Sequence, residues 1–139
     1  MANSPTLQEW TDRARSIQPE TRAFIGGKYV EARDVATLPC ISPIDGRTLA
    51  DIAACGSADI DRAVRAARGA FERGSWSGLA PRQRKSVLLR FARLIADNAE
   101  ELALLETLDM GKPISLSLGD DLPAVVTTVQ WYAECVDKV

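Results

Sequence analysis

Apolar residues recur at helical spacing near the start of the chain. Leu7, Trp10, Ala14 and Ile17 stand three or four positions apart, with charged residues between them and Pro19 behind. This predicts a short amphipathic helix that ends before the proline. The period then shortens. Phe24-Ile25 and Lys28-Tyr29-Val30 flank Gly26-Gly27, a dipeptide suited to the positive φ angles of a two-residue hairpin turn, so a small β-hairpin is expected. Ala36 to Ser42 reads as an extended edge segment, because Pro39 has no N–H to give to a ladder. Pro43-Ile44-Asp45-Gly46 marks a turn, and Thr48-Leu49-Ala50-Asp51-Ile52 alternates polar and apolar side chains like a strand with one buried face. The first third is therefore expected to be small antiparallel β structure.

After Gly56 the helical period takes over. Ile60, Ala63, Val64, Ala67 and Phe71 share one face of a helix expected to stop near Gly74, with Ser57 as its cap and Asp59 and Asp61 at the positive end of its dipole. Pro81 fits the first position of the next helix. Its face of Val87, Leu88, Phe91, Leu94 and Ile95 is backed by Arg82, Lys85, Arg90 and Arg93, read as a solvated side. Asn98 with Glu101 three residues later resembles a capping box that restarts the helix through Leu102, Leu105 and Leu108 to a stop at Gly111 and Pro113. A last helix is expected to begin around Asp120-Asp121 and to run through Leu122, Val125, Val126, Val129, Tyr132 and Val136 to Val139. The organisation is thus an N-terminal helix over 1–20, hairpin strands over 21–55 and helices over 56–139. No internal repeat or linker divides it. Four apolar stripes with little sheet to cover them describe a layer that expects another domain against it.

Composition narrows the function. Of 139 residues, 46% are hydrophobic and the net charge is −2, which is ordinary for a globular protein and offers no pull toward nucleic acid or anionic lipid. No apolar run approaches the ~20 residues of a membrane span, and Met1 to Pro5 lacks a secretory pattern. The expected location is the cytoplasm, with no nucleic-acid or membrane partner. Cys40, Cys55 and Cys135 have no C-x-x-C spacing and there is no histidine, so a Cys/His zinc site and a Cys-His dyad are excluded within the chain. The cysteines read as small half-buried hydrophobes.

Other candidates dissolve on inspection. Gly111-Lys112 lacks the following Ser or Thr and the earlier glycine of a phosphate loop, for Pro113 and Glu106 stand there. No G-x-G-x-x-G fingerprint occurs. Asp120-Asp121 reads as a helix start rather than a metal site, and Glu106 and Asp109 as one polar helix edge.

The run Glu101-Leu102-Ala103-Leu104-Leu105-Glu106-Thr107-Leu108-Asp109-Met110-Gly111-Lys112-Pro113 changes the picture. It closely resembles the ELAxLETLDxGKP segment of the aldehyde dehydrogenase superfamily. In the right order it is joined by Phe24-Ile25-Gly26-Gly27-Lys28, similar to the family's FINGEW hairpin, by Ser42-Pro43 with Gly46, similar to its NPxTG turn, and by Ala63 to Phe71 followed by Trp76. The resemblance spans about residues 20 to 139. Asp59-Ile60-Asp61-Arg62-Ala63, Phe71-Glu72-Arg73-Gly74 and Trp131-Tyr132-Ala133-Glu134 look most like the aminoaldehyde-oxidising branch, in particular the γ-glutamyl-γ-aminobutyraldehyde dehydrogenases of putrescine breakdown.

The resemblance implies an α/β fold, of which this chain is the N-terminal part: hairpin strands followed by helices that flank the cofactor-binding domain. It implies a cytoplasmic homo-oligomer that oxidises a small-molecule aldehyde with NAD or NADP, through a cysteine thiolate and a glutamate-activated water. The family's PWN segment, cofactor turn, general-base glutamate and GQxC nucleophile have no counterpart here, so no catalytic or cofactor-binding residue is assigned. One feature carries over. Several members, notably betaine aldehyde dehydrogenases, bind a monovalent cation, potassium or sodium, through two backbone carbonyls before the NP turn and the aspartate of LETLD. Those positions are Cys40, Ile41 and Asp109, with Ser42 in place of the commoner Asn. A hard cation needs only oxygen donors there. The alternative to an enzyme part is a stand-alone helical interaction module that binds partners through its apolar faces.

Overall fold

The computed structural model describes residues 5–138. Met1–Ser4 and Val139, on which the reading of both chain ends partly rests, lie outside them. Helix α1 spans Leu7–Ser16 and opens on a reciprocal cap: the Thr6 hydroxyl accepts from the Glu9 N–H at 3.3 Å, and the Glu9 carboxylate accepts from the Thr6 N–H at 2.6 Å. Two separate antiparallel hairpins follow, β1 (Ala23–Ile25) with β2 (Lys28–Val30) and β3 (Thr37–Ile41) with β4 (Thr48–Ala53). Gly26 and Gly27 hold φ angles of 63° and 82°, which is why that turn is built of glycine. Pro39 lies opposite Asp51 in β3, at the place expected of an edge segment. The helices are α2 (Ser57–Glu72), α3 (Pro81–Asp97), α4 (Ala99–Met110), α5 (Ile114–Leu116) and α6 (Leu122–Cys135), with a π-helical turn over Ser117–Asp121 between the last two. The α/β class and the order of elements are as expected. Among the described residues no helix is long and apolar enough to cross a membrane.

Three helix starts differ in how they are capped or entered, each for a local reason. Gly56, in extended backbone, occupies the cap position of α2, so Ser57 is already helical and its side chain caps nothing. Asp59 does more than face a dipole: it is buried, accepts the Arg33 N–H at 3.0 and 3.3 Å, and pairs with Arg62 at 3.3 Å. Asn98 does occupy the N-cap position where α4 restarts, but its side chain caps nothing there. Its φ and ψ of −113° and 18° lack the extended backbone a cap requires, and its amide instead donates to the Leu94 carbonyl at 2.7 Å, finishing α3. The last helix, α6, starts at Leu122 beside the expected Asp120-Asp121, but it is entered from a helical run that already begins at Ile114. Gly119 and Pro123 both argue against a helix interior, and the chain rewinds there into the i→i+5 bonding of the π turn, with the Leu122 N–H on the Ser117 carbonyl.

The apolar faces also rotate relative to expectation. On α2 it is Ala63, Ala66 and Ala70 that approach the β1–β2 hairpin, while Ile60, Val64 and Phe71 stay exposed. On α3, Ala92 is buried and Leu88 and Ile95 are half-buried, whereas Val87, Phe91 and Leu94 remain exposed. The basic side of α3 is not wholly solvated, because Lys85 reaches Glu134 of α6 at 2.5 Å and Arg84 is half-buried. The buried hydrophobic residues are Trp10, Ala32, Ala92, Ala103, Leu104, Leu122 and Ala133, a core of mostly alanine that lets helices approach closely without filling much volume.

Candidate functional site

Glu106 and Asp109 lie three residues apart on α4 but serve different neighbours. Asp109 occupies the last turn of the helix, where the negative end of the dipole disfavours a carboxylate and favours a donor or a cation beside it. Gly111 then leaves the helix with φ of 74°, and a Cβ on it would meet Pro43 Cγ at 3.2 Å. The end of α4 is therefore seated on the β3–β4 turn. That turn is held by Ser42, buried, whose hydroxyl accepts the Ile44 N–H at 3.2 Å and whose carbonyl accepts the Gly46 N–H at 2.9 Å. Serine performs the turn-holding task that an asparagine side chain would perform.

This seating brings Cys40 of β3 against Asp109: the thiol donates to Oδ1 at 3.1 Å. The Asp109 hydrogen bond, partial burial and the nearby negative charge together hold the Cys40 thiol above its ordinary pKa, the opposite of what a nucleophile needs. The ladder is irregular at this place. Cys40 pairs with Ala50 and Ile41 with Thr48, leaving Leu49 as the extra residue of a bulge, and a bulge disrupts regular pairing and re-aims backbone groups. The structure thus brings Cys40 and Asp109 into contact and sets Ile41 at the bulge, with its side chain exposed. Among the described residues no group of three or more Cys, Asp or Glu side chains could hold a metal. Cys40 and Asp109 line an open cleft of about 590 Å³ together with Ala14, Ile17 and Pro19.

Close by on α4, Glu106 joins a network that residue-level reading had no signal for. Lys112 pairs with Asp121 and, at 3.5 Å, with Glu106, while the fully buried Ser117 donates its hydroxyl to Glu106. Lys112 is committed to carboxylates, so the phosphate-loop likeness of Gly111-Lys112 ends there. Asp121 stands at the start of α6, but in helical backbone and with its carboxylate on that lysine instead of capping the helix. Ser117 and Asp121 stand at the two ends of the π turn, and nothing in the spacing of the sequence announces that turn.

The profile of the Aldehyde dehydrogenase family matches residues 29–139. The chain belongs to that family. It is 51% identical over 133 residues to the NADP/NAD-dependent aldehyde dehydrogenase PuuC of Escherichia coli, a match covering 96% of this chain and 27% of that protein. Among solved structures, the indole-3-acetaldehyde dehydrogenase AldA of P. syringae, in complex with NAD+ and IAA, is 53% identical with a TM-score of 0.95, covering 98% of this chain and 28% of that one. A γ-glutamyl-γ-aminobutyraldehyde dehydrogenase of Burkholderia cenocepacia is 51% identical with a TM-score of 0.95, covering 97% and 27%. The chain therefore spans about a quarter of the length of these aldehyde dehydrogenases. It has no dinucleotide fingerprint, and its glycines with positive φ serve hairpin, turn and helix-end positions rather than a phosphate cradle.

Proposed function

We propose that the chain is the N-terminal part of an NAD(P)+-dependent aldehyde dehydrogenase that oxidises an aminoaldehyde, such as γ-glutamyl-γ-aminobutyraldehyde, to the acid and works as a homo-oligomer. The observation that carries this reading is the match along nearly the whole chain, at about half identity, to enzymes named for that chemistry. Relatives of nearly equal identity are named for indole-3-acetaldehyde and for γ-glutamyl-γ-aminobutyraldehyde, which agrees with a segment that supports the enzyme and leaves the choice of aldehyde to other residues. Cys40, Ile41 and Asp109 are assigned to a monovalent cation, through the two carbonyls at the bulge and the Asp109 carboxylate. The Cys40–Asp109 contact supports this assignment.

A chimera tests the reading. When this chain replaces the corresponding segment of the Escherichia coli relative, the hybrid should oxidise γ-glutamyl-γ-aminobutyraldehyde within about tenfold of the parent kcat/KM. The isolated chain should bind neither NAD+ nor NADP+ in calorimetry. A hybrid that melts cooperatively yet turns nothing over, or an isolated chain that binds either nucleotide at micromolar concentration, overturns it. The exposed apolar faces of α2 and α3 favour a second reading, a helical interaction module. That reading requires the chain by itself to be compact.

A further inference from the structure

The polar ties of the chain close within it, while much of its apolar surface faces outward. Arg13 of α1 reaches Glu100 of α4 at 2.5 Å, Asp59 of α2 accepts the Arg33 N–H at 3.0 Å, Lys85 of α3 holds Glu134 of α6 at 2.5 Å, and Ser117 ties the π turn to Glu106 of α4. Helix α2 shows the apolar surplus most plainly. It rests chiefly on β1, through the small side chains of Ala63, Ala66 and Ala70. Ile60, Val64 and Phe71 are each more than half exposed, and their spacing of four and seven residues puts them in one row on another side of the helix. A row of large apolar side chains in water marks a face made for burial against a partner. That partner has to be large. The chain exposes 10004 Å², where a compact protein of its mass exposes about 7,100 Å², and a standard dimer takes only about 800 Å² from each copy. One further copy of this chain therefore leaves most of the surplus in water. The relatives carry a body of the required size, because this chain spans 27% of the Escherichia coli protein.

With the chain read as an enzyme part, we propose that it docks without needing a covalent link: the row Ile60, Val64 and Phe71 is a seat for the other three quarters of an aldehyde dehydrogenase, and the two assemble into an active enzyme when supplied as separate polypeptides. Neither piece has to be stable alone, since folding and docking are coupled when both are made together.

The test co-expresses the 139-residue chain with the Escherichia coli relative lacking the segment that this chain matches, with an affinity tag on the larger piece. The covalent hybrid of the same two pieces is the control. The chain should copurify with the larger piece in equal amount, and the pair should oxidise aldehyde at no less than about a tenth of the hybrid's rate. Phe71→Asp should cut the recovered chain at least about fivefold, and Phe71→Leu should leave it at the parent level. The hybrid carrying Phe71→Asp should lose less activity than the pair does, because a covalent link keeps the two surfaces at millimolar effective concentration. Pieces that do not copurify overturn the proposal, and an active hybrid alongside them shows that the enzyme reading survives it. Recovery unchanged by Phe71→Asp, or the chain found only with further copies of itself, overturns it as well. Copurifying pieces that Phe71→Asp separates, beside an inactive hybrid, support the seat and count against the enzyme reading instead.

Discussion

At the scale of single residues, two aspartates show how far side-chain chemistry depends on placement. Asp109 was legible in sequence through a family motif, and its neighbourhood agrees with that placement: a carboxylate at a helix C-terminus, with a thiol donor at 3.1 Å and a strand bulge alongside. In the chimera with the Escherichia coli relative, Asp109→Ala should abolish the rise in melting temperature with potassium while leaving turnover measurable. An unchanged potassium response in a melting series would remove Asp109 from the cation assignment. Asp59 was legible only as a charge near a helix start. Its burial follows from Gly56 taking the cap position, which turns the third residue of α2 inward onto the Arg33 N–H. Asp59→Ala removes a charged acceptor from a part-buried hydrogen bond and should cost about 1–3 kcal/mol, read as a lower denaturant midpoint. Asp59→Asn, which retains an acceptor, should cost less. Spacing rules report which face a residue occupies, and they are silent about which backbone donor waits there.

At the scale of elements, the hairpins and the helices α1 to α4 were readable because glycine pairs, prolines and apolar periods act locally. The Gly26-Gly27 turn and the Gly111 stop both sit in positive φ as their residue type requires. The Ile114–Asp121 stretch was not readable. Its helical state rests on a rewound turn and on contacts from Ser117 and Asp121 back to α4 and Lys112, which are tertiary. That dependence gives a pH test. The hydrogen bond that Lys112 donates to Asp121 is the largest of the influences that raise Lys112 above its ordinary pKa; burial opposes it, and the charges of Asp121 and Glu106 add to it. Because the folded value is raised, the stabilisation is fully present below the unfolded lysine value of ~10.4 and is lost as pH rises through the higher folded value. Lys112→Met should therefore lower the melting temperature at neutral pH, and its deficit against the parent should vanish in strongly alkaline buffer. Hydrogen exchange should find the loss first in the π turn. A deficit that persists undiminished above the lysine range would show that Lys112 acts through packing of its stem and not through its charge.

At the scale of the whole molecule, the sequence already described helices whose apolar stripes outnumber the surfaces available to cover them, and the structure puts an area on that mismatch. A compact monomer of 15.1 kDa exposes about 7,100 Å² by the size scaling of folded proteins. This chain exposes 10004 Å². The excess is larger than the ~1,600 Å² total of a standard protein interface. Its chemistry is apolar in the places that matter: Phe71 is 64% exposed, Phe91 52% and Tyr132 61%, while the buried hydrophobic residues among those described are mostly alanine. What the sequence misplaced was which side chains would be left over. Leu88 and Ile95 find partial cover between α3 and α6, and Val87, Phe91 and Leu94 do not, because the small Ala92 is the residue that lets α3 and α6 close on one another. Each large apolar side chain moved out of water is worth ~1.5–3 kcal/mol, so covering Phe71, Phe91, Leu94 and Tyr132 alone would yield an amount comparable to the ~5–15 kcal/mol that holds a domain folded. The isolated chain should therefore self-associate, or populate a loosely packed state that binds a dye for exposed apolar surface. Sedimentation velocity across a concentration series would show the mass rising above 15.1 kDa. Phe91→Glu with Tyr132→Lys should shift it back toward monomer, since charge on both helices makes mutual burial unfavourable. A monomer that binds no dye, unfolds cooperatively and is indifferent to those substitutions would mean that α2, α3 and α6 close a sufficient core by themselves. The interaction-module reading would then gain the compact scaffold it requires.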